Sequence, residues 1–102
     1  MPPSGGTIIR SVVDTETERV WPGERSRKLP PDIQQTARRK LRQLEAAERL
    51  DDMRAPRGNR LEQLKGMAPP RYGIRINDQW RITFRWSDGG AEDVGIEDYH
   101  RG

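Results

Sequence analysis

Arginines placed at strand spacing are the groups in this chain best suited to chemistry. In Gln79-Trp80-Arg81-Ile82-Thr83-Phe84-Arg85-Trp86, two arginines alternate with bulky apolar residues. Successive strand side chains point to opposite faces. The run therefore sets Arg81 and Arg85 on one face and Trp80, Ile82, Phe84 and Trp86 on the other. Arg75 is out of phase with Ile74 and Ile76, so on an adjacent strand it joins the cationic face. Clustered guanidinium groups bind phosphate through charge-assisted, often bidentate hydrogen bonds. The single histidine, His100, follows Asp98 and Tyr99 near the C-terminus. An imidazole near an arginine cluster suits proton transfer at neutral pH. Tyr99 fits either a buried strand position or a base-stacking platform. Lys65 precedes Gly66, whose backbone freedom can bring the ammonium over a ligand. Each group also has an ordinary reading, because solvent faces of antiparallel sheets are often charged. If the chain is an enzyme, these residues make it a metal-free acid–base catalyst acting on an anion.

Composition narrows the alternatives. The 102 residues carry a net charge of +3 with a pI near 9.8, which suits an anionic partner. There is no cysteine and one histidine, so disulfide frameworks, thiolate zinc sites and multi-histidine metal sites are excluded. No cofactor motif is present: neither a glycine-rich phosphate loop nor a nucleophile elbow occurs. No run of about 18 apolar residues exists to span a membrane. The N-terminus lacks a basic segment followed by an apolar stretch, so no secretory signal is read and a cytoplasmic protein is expected. Residues 1–6 are expected to be a disordered tail, and residues 7–102 a single domain.

The elements that must hold these groups follow from pattern. Residues 7–13 are rich in β-branched types and read as a strand. Thr15 and Glu18 have capping-box spacing, for a short helix ending by Trp21 because Pro22-Gly23 follow. Pro30-Pro31-Asp32 opens the main helix, with Asp32 and Gln35 as a second capping box. Ile33, Ala37, Leu41, Leu44, Ala47 and Leu50 form its apolar stripe. Arg38, Arg39, Lys40 and Arg42 fall largely on the other faces. The helix is expected to fade after Leu50. Residues 57–60 read as a loop, and residues 61–66, with Lys65 on a loop, lead into Met67-Ala68-Pro69-Pro70, which cannot be regular structure. Tyr72-Gly73-Ile74-Arg75-Ile76 is a strand, Asn77-Asp78 a tight turn, and the aromatic strand follows. A turn at Ser87-Asp88-Gly89-Gly90 leads to a last strand through Val94 and Ile96. Strands joined by short turns pair antiparallel. The expectation is a two-layer α+β domain of order β-α-α-β-β-β, with helices on one face of an antiparallel C-terminal meander. An unbroken last strand sets Asp98 and His100 on the side of Val94 and Ile96. A bulge near Glu97 would reverse that, and both arrangements fit the sequence.

Several segments together resemble the HigB-type toxins of the RelE-like superfamily, also called plasmid maintenance killer proteins. They are Leu29-Pro30-Pro31-Asp32-Ile33, Arg39-Lys40-Leu41, Leu61-Glu62-Gln63-Leu64-Lys65-Gly66, Ile74-Arg75-Ile76-Asn77-Asp78-Gln79-Trp80-Arg81-Ile82-Thr83-Phe84 and Asp98-Tyr99-His100. The resemblance runs from about Ile8 to His100. It implies a microbial-ribonuclease-like fold and an endoribonuclease that cuts mRNA in the ribosomal A site. It implies a HigA-type helix-turn-helix antitoxin as partner, with operator DNA bound only through that partner. By position, Lys65 and Arg81 match residues that stabilise the scissile phosphate. Asp98, Tyr99 and His100 match the C-terminal active-site segment. The implied reaction is attack of a ribose 2′-OH on phosphorus, with His100 moving the proton and Tyr99 supporting it. Arg75 and Arg85 become RNA contacts, as do Arg38, Arg39 and Arg42 on the main helix. Two departures stand out. Glu62 occupies a position where some members have histidine, and Met67-Ala68-Pro69-Pro70 replaces the usual continuation after Lys-Gly. The rival function on this fold is a non-catalytic module that binds gyrase or RNA.

Overall fold

The computed structural model describes residues 9, 11–66, 68–87 and 89–98. Tyr99 and His100, the 1–6 tail and Met67 lie outside the described residues, as do Thr7, Ile8 and Arg10 of the first expected strand. Two α-helices, α1 (Thr15–Val20) and α2 (Pro31–Ala46), precede four strands, β1 (Glu62–Leu64), β2 (Arg71–Arg75), β3 (Trp80–Ser87) and β4 (Gly90–Asp98). The strands form one antiparallel sheet in the order β1-β2-β3-β4. None of the described helices is long and apolar enough to cross a membrane.

The meander and both helices match expectation, while the ends of the sheet differ. Among the described residues, those expected as a first strand contribute isolated parallel bridges to β4, Ile9 to Ala91 and Val12 to Val94. Glu62–Leu64, outside every expected strand, pairs with β2 as the edge strand β1. Its three residues are too few to display an alternating pattern.

Helix ends follow local hydrogen bonding. The Asp14 carboxylate, rather than Thr15, caps α1 by accepting from the Thr17 N–H at 2.7 Å. For α2 the N-cap is Pro30, without a side-chain cap, so the expected Asp32 box is not formed. α2 also stops at Ala46, short of Leu50. There the Asp52 carboxylate accepts from the N–H groups of Glu48 and Arg49 and starts a separate 3-10 turn, Leu50–Arg54.

Alternation along β3 builds the core. Ile82 and Phe84 are fully buried, and Trp80 and Trp86 pack half-buried beside them. The Phe84 ring lies 6.1 Å from Tyr72 and 6.5 Å from Trp86. Ile33, Ala37, Leu41 and Leu44 of α2 belong to the same core as Ile74, Val94 and Ile96 of the sheet. Burying a side chain such as Phe84 contributes about 1.5–3 kcal/mol. Lys40 departs from its expected outward face. It is buried, and its Nζ donates to the carbonyl of Arg75. Burial lowers its pKa below 10.5, with smaller contributions from Arg39 and Arg75. The contact ties α2 to the end of β2.

Candidate functional site

The outer face of the sheet is built row by row from the strand register. One row runs Arg75, Arg81, Glu97 across β2, β3 and β4. The next runs Glu62, Gly73, Thr83, Gly95 across all four strands. Gly73 has no side chain to raise the floor there, and the Leu64 and Thr83 side chains close over it. Arg71 and Arg85 stand beyond Thr83 on the same face, with Glu92 paired opposite Arg85.

The face is not the bare cationic row that alternation implies. Its arginines have carboxylates beside them. Arg85 Nη1 lies 3.3 Å from Asp93 Oδ2, and Arg75 pairs with Asp78. Arg81 Nε stands 4.0 Å from Glu62 Oε1, and its Nη1 donates to the Asn77 carbonyl at 3.0 Å. That carbonyl belongs to the β2–β3 turn, whose Asn77 side chain accepts from the N–H groups of Gln79 and Trp80. The turn thus shapes the strand entry and fixes the Arg81 guanidinium. Only 18% of the Arg81 side chain is exposed.

Arg71 escaped the sequence reading, yet it organises the centre of the face. It is 16% exposed. One Nη2 donates to Thr83 Oγ1 at 3.0 Å and to the Asp93 carbonyl at 3.1 Å, and lies 3.8 Å from Glu97 Oε2. The Thr83 hydroxyl in turn donates to Glu97. A chain Arg71–Thr83–Glu97 results, with its hydroxyl fully buried. Arg71's parity with Gly73 and Arg75 was the available signal.

The sequence-predicted groups divide. Arg75, Arg81 and Arg85 share the outer face. Lys65 is exposed just past β1, on the turn where Gly66 takes φ 76°. Asp98 does not share that face. It pairs with Trp80, which puts it in phase with Ile96, and it accepts from Gln79 Nε2 at 3.1 Å. The bulge left open by the sequence lies earlier than Glu97. Register shifts between Thr83 and Arg85, where Asp93 takes φ 51° as the extra residue of β4. Arg38, Arg39 and Arg42 are on α2, away from the sheet arginines, and with Gln35 they line a shallow hollow of about 280 Å³.

Residues 12–100 match the model of the HigB-like toxin family, described as the RelE-like toxin of the type II toxin–antitoxin system HigB. A relative named Toxin HigB-1, from Vibrio cholerae serotype O1, is 43% identical over 74 residues, covering 72% of this chain and 78% of its own. An uncharacterized protein of Haemophilus influenzae is 28% identical over 75 residues, covering 74% of each chain.

Proposed function

Because the chain belongs to the HigB-like toxins, the RelE-like toxins of type II toxin–antitoxin systems, we propose that it is a metal-independent endoribonuclease that cuts mRNA on the ribosome. The observation that carries this reading is the restraint on Arg81. A guanidinium fixed by a turn carbonyl, on a rigid strand and beside an open polar face, is preorganised to meet charge developing on a phosphate. Lys65, on the neighbouring turn, supplies a second cation. His100 transfers protons, Tyr99 stacks on or supports the reacting nucleotide, and Asp98 belongs to the same terminal segment. The ribose 2′-oxygen attacks phosphorus, and a 2′,3′-cyclic phosphate remains.

Toxin–antitoxin membership brings an antitoxin partner. We take it to be a HigA-type helix-turn-helix protein, through which operator DNA is bound. The protein acts in the cytoplasm, on a microbial-ribonuclease-like fold, and the basic face of α2 meets ribosomal RNA. Expressing the wild type, Arg81→Ala and His100→Ala in bacteria, with mRNA 5′ ends mapped genome-wide, tests the reading. The wild type is expected to arrest growth and create new in-frame 5′ ends, and both variants to abolish them. Growth arrest without cleavage would sink the ribonuclease and favour a binding toxin.

A further inference from the structure

Resting on the ribonuclease reading, we infer that Glu97 is the general base that takes the proton from the attacking ribose 2′-OH. Three observations lead there. Glu97 stands directly opposite Arg81 in the β3–β4 register and on the same face. Directly opposed residues hold their Cβ atoms about 4.5–5.5 Å apart; the Arg81 guanidinium leans towards the Asn77 carbonyl and Glu62, so a nucleotide with its phosphate there reaches Glu97 by lying across β3. The carboxylate is oriented, because Oε2 accepts from the buried Thr83 hydroxyl and lies 3.8 Å from Arg71. Oε1 has no partner among the described residues and is the atom left to accept a proton. A base held by a second group, itself held by a third, is a diagnostic arrangement of acid–base sites.

The other carboxylates fit less well. Asp98 has the opposite parity. Asp93 is engaged at both oxygens, by the Ser11 hydroxyl and by Arg85. Glu62 lies 4.0 Å from Arg81 and serves as that arginine's counter-ion, and no hydroxyl holds it as Thr83 holds Glu97.

The step balances. The 2′-oxygen gives its proton to Glu97 Oε1 and forms its bond to phosphorus. The P–O5′ bond breaks, and O5′ takes a proton from His100, leaving a 2′,3′-cyclic phosphate and a 5′-hydroxyl. Glu97 later returns its proton to water.

Single-turnover cleavage of a short mRNA on programmed ribosomes, followed against pH, tests the assignment. Glu97→Gln keeps a carbonyl to accept from Thr83, so the fold is expected to survive, checked by circular dichroism. Its rate is expected to fall about 100- to 1,000-fold, with ribosome affinity within two-fold and the acid-side rise of rate with pH abolished. Glu97→Asp retains the charge, and is expected to cleave more slowly than wild type with the acid limb present. It decides the matter should Glu97→Gln unfold, since a wild-type rate in Glu97→Asp would overturn the proposal. So would Glu97→Gln cleaving within three-fold of wild type, or loss of the acid limb in Glu62→Gln instead. An inert wild type defeats the ribonuclease reading itself. An active wild type with an indifferent Glu97→Gln defeats only this assignment.

Discussion

Arg71, Arg75, Arg81 and Arg85 on the sheet each have a carboxylate within 4.0 Å, whereas Arg38, Arg39 and Arg42 on α2 have none among the described residues. Both sets face anionic partners in the proposed function, but the physics of each differs. A paired, half-buried guanidinium has lost its rotamer freedom before a ligand arrives. It can therefore stabilise one arrangement of charge better than another. An exposed guanidinium on a helix keeps its freedom and contributes attraction that salt screens. Under the proposed function, the sheet set would discriminate between ground and transition states, and the helix set would supply affinity. The carboxylates that fix the sheet set also lower the net positive potential there, so in the proposed function attraction of RNA would fall to the helix.

Four variants break or sharpen this contrast, in falling order of effect. Arg81→Ala is expected to slow single-turnover mRNA cleavage about 100- to 1,000-fold while ribosome affinity changes little. A loss confined to affinity would make the two sets equivalent. Arg71→Met removes one end of the Arg71–Thr83–Glu97 chain and leaves polar partners unmatched. Urea denaturation is expected to show about 1–3 kcal/mol of lost stability. Replacing Arg38, Arg39 and Arg42 together with Gln is expected to weaken ribosome binding about tenfold near 0.1 M salt. The slope of log affinity against log salt should shrink by about 2 to 3, with the saturated cleavage rate unchanged. An unchanged slope would remove α2 from the interface.

The smallest effect concerns Lys40, whose buried charge belongs to neither set. Its pKa in the folded chain lies below 10.5. At neutral pH both folded and unfolded chains hold the proton, and burial of the charge costs stability. As pH rises towards 10.5 the folded chain releases the proton first, so that cost declines. Thermal melting should therefore show the wild type gaining on Lys40→Met as pH climbs through this range.

The meander was legible because strands with one buried face write their geometry into the sequence. Trp80, Ile82, Phe84 and Trp86 alternate without a break, and Asn77-Asp78 marks the turn before them. The stripe Ile33, Ala37, Leu41, Leu44 did the same for α2. What stayed hidden depends on partners far along the chain. Lys40 reads as one more cation in a basic run, and only the carbonyl of Arg75 explains its burial. β1 is a strand because β2 lies beside it, since Glu62-Gln63-Leu64 carries no strand pattern of its own. At the site, the shared face of Arg75, Arg81 and Arg85 followed from parity alone. Their pairing did not, because carboxylates from β1, β4 and the Asn77-Asp78 turn must fold in to provide it. Glu97 was overlooked because its side depends on where the strand breaks phase.

Asp93 is the odd residue in an otherwise even count. Before it, Ala91 points inward and Glu92 outward. After it, Val94 and Ile96 point inward, and Glu97 outward. Losing Asp93 would leave strict alternation, with Val94 and Ile96 still inward and Glu97 still opposite Arg81. Gaining one codon here would invert every later position, turning Ile96 to water and Glu97 towards the core. In an evolving lineage this site therefore accommodates a gap more readily than an insertion. A relative with an insertion here must restore parity within a few positions or set a different residue beside its arginine.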